Sequence, residues 1–336
     1  MTKAVKWGVL GNAMISRRCV MPAINKSVNG KLYALATRSP EQAGKVAREN
    51  RIAHIYDSYD ALLMDPEIDA VYIPLPNHLH RLWALNALNA GKHVLCEKPL
   101  ACNAKEAREM VSAARGTGRL LMEAFMYRFH PRSRRIKQMV VEGRIGTPCL
   151  VRSAFCFRMG EKDWINSDNA RLKPEMGGGA LLDVGCYSVS VARWLLGAEP
   201  TQVQAQAVYH SGGADVHLVG SLSFADDGLA AFEASFVSAL QQTFTVVGRE
   251  GAIELPHNAF VPWEKDAVFM LRRYDEETGQ EYVIPGADEY QLMVEHFADA
   301  VAAKSELMYS ADESVRNMLV LDALAQAART GKTVKL

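Results

Sequence analysis

The sequence predicts an α/β protein: a doubly wound parallel sheet in the N-terminal part, then an α+β domain built on a large, mostly antiparallel sheet. Three observations predict this. Short apolar runs alternate with helical patterns through the first 123 residues, the spacing of right-handed strand–helix–strand units. The first apolar run passes through a glycine-led turn into a helix. Beyond residue 148 most segments read as strands separated by turns, and consecutive strands pair antiparallel. The division is drawn between residues 1–123 and 124–336.

The elements follow in order. Ala4–Leu10 (AVKWGVL) is a strand, and a helix runs from Ser16 to about Val28 with Pro22 as an irregularity. Lys31–Thr37 is the second strand, Pro40–Asn50 and Ser58–Met64 are helices, and Ala70–Ile73 (AVYI) is a buried strand. Pro74 breaks that strand, and a helix follows to Ala90, with Gly91 in the position that ends it. His93–Cys96 is a strand that stops at Glu97-Lys98-Pro99, because proline has no N–H to give a ladder. A helix to Thr117 and the strand Leu120–Glu123 complete the first part. In the second part, Arg132–Glu142 is helical and Pro148–Arg158 is a strand. A polar loop covers Asp163–Pro174, and a helix runs from Gly177–Gly179 to Leu196. Strands are expected at Thr201–Tyr209, Val216–Phe224, Leu229–Val237, Phe244–Val247, Ala252–Leu255, Val268–Tyr274 and Glu281–Ile284, with Asp226-Asp227-Gly228 as a hairpin turn. Two helices, Asp288–Ala303 and Ala311–Thr330, end the chain.

Composition narrows the function. The 336 residues are 49% hydrophobic and formally neutral, with only short basic clusters, which argues against a nucleic acid or an acidic membrane as partner. No apolar run is long enough to span a bilayer, and no secretory leader precedes the first strand, so a cytoplasmic protein is expected. The six cysteines form no C-x-x-C, and no histidine stands at zinc-like spacing to a cysteine pair, so no metal is expected. His78 and His80 lack carboxylate company and read better as polar residues at a helix start.

The turn Gly11-Asn12-Ala13-Met14-Ile15-Ser16 stands where a Rossmann domain carries G-x-G-x-x-G, with Ala13 and Ser16 in place of the later glycines. Small residues still admit a pyrophosphate, which the unpaired N–H groups of a helix N-terminus hold. The second strand ends in Thr37-Arg38-Ser39 without the acid that takes an NAD ribose. An arginine fork and two hydroxyls suit a 2′-phosphate, so NADP(H) is expected over NAD. Pro74, Leu75, Asn77, His80, Glu97 and Lys98 follow strand ends, where ligands gather in an open α/β sheet. With Gly11, Asn12, Ala13, Met14, Ile15, Thr37, Arg38 and Ser39 they make up the cofactor-binding candidates.

With GNAMIS, TRS, PLPNHLH and EKP in this order, essentially the whole chain resembles the glucose-fructose oxidoreductase/inositol dehydrogenase (Gfo/Idh/MocA) family. The resemblance implies that Lys98 lies at the nicotinamide and is catalytic. MEAFMYRFHP (Met122–Pro131) and GGGALLDVGCYSV (Gly177–Val189) narrow it further. Many members carry a D-x-x-x-H pattern, and this chain has Asp183 with Tyr187 in place of the histidine. That pairing resembles the branch with dimeric dihydrodiol dehydrogenase and NADP-dependent xylose dehydrogenase, and points away from inositol.

The implied activity is NADP-dependent hydride transfer between nicotinamide and a secondary hydroxyl or carbonyl of a sugar or polyol. Tyrosine ordinarily loses its proton near pH 10, and a neighbouring ammonium lowers that value. Tyr187 is thus the expected acid/base, Lys98 its electrostatic partner, and Asp183 an anchor for Lys98 or a substrate hydroxyl. Asp183 and Tyr187 are four residues apart, on one face of an α-helix. Tyr127, Arg128, Trp164 and Arg171 are candidate substrate contacts. Two alternatives are a trans-dihydrodiol dehydrogenase and a non-catalytic NADP(H)-sensing regulator, the latter having no need of an acid/base pair. A sheet this large needs cover on both faces, so a homodimer or homotetramer through the C-terminal sheet is expected.

Overall fold

The computed structural model describes residues 4–37, 40–166 and 168–336. Two compact units result: residues 1–129 with 288–315, and residues 130–287 with 316–336. The division drawn at residue 123 assigns 288–315 to the second part, whereas in the structure this segment packs with the first unit.

The first unit is a six-stranded parallel sheet of β1 (Val5–Leu10), β2 (Gly30–Ala36), β3 (His54–Tyr56), β4 (Ala70–Ile73), β5 (His93–Cys96) and β6 (Leu121–Glu123). Its order is β3-β2-β1-β4-β5-β6, the doubly wound dinucleotide arrangement that reverses direction between β1 and β4. Every residue of β4 is buried, as a parallel strand covered on both faces requires. The returning helix Glu289–Val301 packs on this sheet through Phe297, whose ring lies 5.5 Å from that of Trp7. Asn29 fixes it by donating to Glu295 O at 2.8 Å and Asp299 Oδ1 at 2.9 Å. After β5 the helix Ala104–Thr117 starts on reciprocal caps: Asn103 Oδ1 accepts from Glu106 N, and Glu106 Oε2 accepts from Cys102 N.

The second unit carries β7 (Pro148–Arg158), β8 (Pro200–Tyr209), β9 (Asp215–Phe224), β10 (Leu229–Ser235), β11 (Val237–Gly248), β12 (Gly251–Leu255), β13 (Ala267–Arg273), β14 (Gln280–Ile284) and β15 (Val334–Lys335). They form one nine-stranded sheet, β14-β13-β12-β11-β7-β10-β9-β8-β15, antiparallel except for β10 beside β7. The helix Cys186–Leu196 packs against β7 and β10. Near its C-terminal end Arg193 is buried and holds Glu199 with two 2.7 Å hydrogen bonds.

The hairpin between β9 and β10 turns where expected, but Asp226 (φ 58°) and Asp227 (φ 62°) take the left-handed positions and Gly228 does not. Aspartate tolerates that region better than most residues, so glycine is not needed there.

Candidate functional site

In the first unit the turn after β1 meets the demands of a phosphate cradle. Gly11 has φ +103°, and a Cβ there would stand 2.9 Å from Leu75 Cδ2. The amide oxygen and nitrogen of Asn12 are both buried without a partner among the described residues. An orphaned donor and acceptor beside a glycine held at positive φ fit a dinucleotide, which would supply the missing partners. Ala13 and Ile15 are partly exposed and Met14 is exposed. Ser16 Oγ donates to Ala13 O at 2.8 Å, pinning the turn to the helix start. The helix itself is not a plain α-helix. Ser16–Val20 makes wide i→i+5 turns before Met21–Lys26, so the irregularity lies before Pro22 and the helix stops two residues short of Val28.

Thr37 is buried just past β2 and donates its N–H to Tyr56 O. Arg38 and Ser39 lie outside the described residues. Pro74 and Leu75 follow β4 and are buried, and Asn77 begins the helix Asn77–Asn89.

The Glu97–Leu100 turn is held by three buried side chains from other elements. Tyr72 of β4 donates to Glu97 Oε1 at 2.5 Å, and Glu123 Oε1 at the end of β6 accepts from Leu100 N at 2.8 Å. His80 places Nδ1 3.0 Å from Pro99 O and Nε2 2.7 Å from Leu75 O. Lys98, joined to Pro99 by a cis peptide, is half-exposed while Glu97, Pro99 and Leu100 are buried. His80 was expected among the cofactor contacts. Instead it is fully buried with both ring nitrogens against carbonyls, and burial pushes its pKa down to about 4. Sequence reasoning missed Tyr72 and Glu123. The end of β6 could have been found by the same strand-end rule that singles out Lys98.

Tyr127 and Arg128 are engaged inside the first unit. Tyr127 is fully buried and edge-on to Phe125. Arg128, 4% exposed, reaches Glu313 Oε1 at 3.3 Å, and its guanidinium carbon lies 4.9 Å from the Tyr309 ring centre. Where a fork open to a substrate was expected, the structure has a buried cation tying residues 126–129 to the returning segment.

In the second unit the glycine run precedes wide turns at Leu181–Gly185 and then the helix Cys186–Leu196. The expected single α-helix is therefore interrupted by a wide i→i+5 segment just before Cys186. Asp215 of β9 caps this start, its Oδ2 accepting from Leu181 N at 2.7 Å. Burial raises the Asp215 pKa. Gly179 faces that carboxylate with φ +122°, and a Cβ on Gly178 would meet Ala170 O at 2.4 Å.

Asp183 Oδ2 accepts from Arg171 Nε at 2.7 Å, and the Asp183 charge raises the Arg171 pKa. Tyr187, 4% exposed, lies among aromatic rings, 5.3 Å from Phe155 and 5.3 Å from Phe260. Trp164 ends a short helix, Glu161–Trp164, rather than lying in a loop, and stands edge-on to His210 at 5.1 Å. Among the described residues no cluster of three or more His, Cys, Asp or Glu could hold a metal ion, and no helix is long and apolar enough to cross a membrane.

A doubly wound sheet with an orphaned Asn12 amide at the turn after its first strand has the frame of a dinucleotide-binding domain. The chain belongs to the Gfo/Idh/MocA family: residues 5–125 match the oxidoreductase family with NAD-binding Rossmann fold, and residues 133–254 match the GFO/IDH/MocA C-terminal domain. It is 38% identical to a D-xylose 1-dehydrogenase (NADP(+)) of Haloferax volcanii, over 98% of this chain and 99% of the relative. It is 33% identical to a trans-1,2-dihydrobenzene-1,2-diol dehydrogenase of Xenopus laevis, over 77% of each chain. A 3-ketoreductase from Actinomadura kijaniata, solved with NADP and TDP-benzene, superposes with a TM-score of 0.89 at 29% identity, over 97% of this chain and 98% of that one.

Proposed function

We propose that the protein is an NADP-dependent dehydrogenase acting on a secondary hydroxyl, or the corresponding carbonyl, of a sugar or related polyol. The observation that carries the reading is the turn after β5, which leaves Lys98 half-exposed between buried, side-chain-held neighbours at the carboxyl edge of the sheet. When bound, the nicotinamide accepts or supplies hydride, chemistry that belongs to the cofactor.

The chain's residues do the rest. Gly11, Asn12, Ala13, Met14 and Ile15 cradle the pyrophosphate. Thr37, Arg38 and Ser39 take the 2′-phosphate, a choice supported by the absence of an acid after β2 and by the NADP(+) named for the Haloferax relative. Lys98 donates to the substrate oxygen and favours the ionised form of Tyr187, which takes the hydroxyl proton. Their pairing rests on the EKP and D-x-x-x-Y patterns of the family. Asp183 anchors Lys98 or a substrate hydroxyl, and Arg171 and Trp164 contact the sugar.

The exposed Val208, Val219 and Leu229 share one face of the second sheet by register, which supports a homodimer or homotetramer formed there. The six cysteines, all free thiols, support a cytoplasmic location.

Nicotinamide absorbance with purified protein, NADP and NAD in parallel, and a panel of aldoses, polyols and a trans-dihydrodiol tests the reading. Reduction of NADP by an aldose is expected. The rings of Phe155 and Phe260 around Tyr187 favour the dihydrodiol as the second reading, and turnover of that substrate alone would select it. Tight NADPH binding with silence across the panel would point to a regulator.

A further inference from the structure

His80 is a polar ring buried completely in the first turn of the helix Asn77–Asn89, a placement that costs free energy unless the ring nitrogens are engaged. A neutral ring has a single N–H to donate, and two carbonyls from separate strand-end loops lie within its reach: Leu75 O after β4, at Nε2, and Pro99 O after β5, at Nδ1. Pro99 directly follows Lys98. The supports at Glu97 and Leu100 act on either side of this point, so the turn is held by the Glu97 carboxylate and by the backbone of residues 99 and 100 while Lys98 itself is half-exposed.

On the reading of Lys98 given above, we propose that His80 is a positioning residue. As the Nδ1–H tautomer its imidazole donates to the Pro99 carbonyl from a rigid helix and so fixes where the turn presents the Lys98 amine. The inference predicts distinct behaviour for two near-isosteres. The asparagine amide nitrogen falls near the place of Nδ1 and can still donate to Pro99 O. The glutamine amide nitrogen falls near Nε2 and keeps only the Leu75 contact.

The test compares His80→Ala, His80→Asn and His80→Gln by amide hydrogen exchange of residues 95–102 without cofactor or substrate, and by NADPH dissociation constant, kcat and KM. In His80→Ala the exchange of this segment is expected to rise about tenfold over wild type, with residues 5–10 unchanged. Its kcat falls up to about 10²-fold, while NADPH affinity changes by no more than about threefold. His80→Asn restores most of both losses, and His80→Gln does not. Unchanged exchange in His80→Ala, or a glutamine variant that performs as well as the asparagine one, overturns the proposal. If His80→Ala fails to fold, the Asn-against-Gln comparison decides alone. Full turnover by Lys98→Met, beside a loosened turn in His80→Ala, would instead overturn the reading of Lys98.

Discussion

Replacing Gly179 with alanine tests the local architecture that presents Asp183. Gly179 has φ +122°, where an L-residue is strained by about 1–3 kcal/mol. An added Cβ would stand 2.1 Å from Asp215 Oδ1, so the carboxylate must move by an ångström or more. That movement breaks the 2.7 Å hydrogen bond from Leu181 N, a charge-assisted bond of about 1.5–3 kcal/mol. Together the terms give a loss of about 3–5 kcal/mol. Gly197→Ala is the control: its φ is +69°, and nothing lies within 4 Å of the added carbon. There the backbone cost alone applies, about 1–2 kcal/mol. Urea unfolding of wild type and both variants, compared at equal m-value, separates the two. A Gly179→Ala loss within about 1 kcal/mol of the Gly197→Ala loss would refute the claim that Asp215 needs this space.

Three further outcomes are expected. Arg128→Met removes the buried cation beside Glu313 and costs about 3–5 kcal/mol in urea unfolding, and adding Glu313→Gln recovers part of it; a single-variant loss below about 1 kcal/mol would remove the clamp. Burial holds His80 and His130 down to about 4 from 6.5, so the unfolded chain binds more protons between those values and the stability they contribute is lost as pH falls from about 6.5 to about 4. Each fully buried histidine then costs about 2 kcal/mol between pH 7 and 5, and His130→Gln is expected to show that much less acid sensitivity; an unchanged pH dependence would contradict it. Arg38→Ala weakens NADPH binding, measured by fluorescence titration, while sparing NADH; equal losses would remove the basis for choosing NADP.

The first unit was largely legible because its strands are apolar runs bounded by breakers. Ala70–Ile73 and His93–Cys96 fall where the sequence puts them, since a parallel strand buried on both faces cannot hide its pattern. His54–Tyr56 was missed because a three-residue edge strand with two exposed positions carries no periodicity. The long strand Val237–Gly248 was read only from Phe244 to Val247, because its first five residues, VSALQ, are mostly exposed and do not alternate apolar with polar. The assignment of 288–315 to the first unit was hidden because an apolar helix face does not say which sheet it meets. The wide turns at 16–20 and 181–185 were equally invisible, since i→i+5 bonding selects no residue type. At the site, residue type suggested that Arg128 and His80 face a ligand. Whether a fork or an imidazole is spent on Glu313 or on a carbonyl depends on partners far away in the chain.

Steady-state NADP reduction with the best sugar of the panel shows whether Lys98 and Tyr187 handle the substrate proton. The enzymes compared are wild type, Lys98→Met, Tyr187→Phe and the double variant, with NADPH affinity measured beside each. Each single variant is expected to bind NADPH nearly as wild type while turnover falls about 10²–10⁴-fold, and the double variant to be little worse than either single one. Turnover within a few-fold of wild type in either single variant would contradict it.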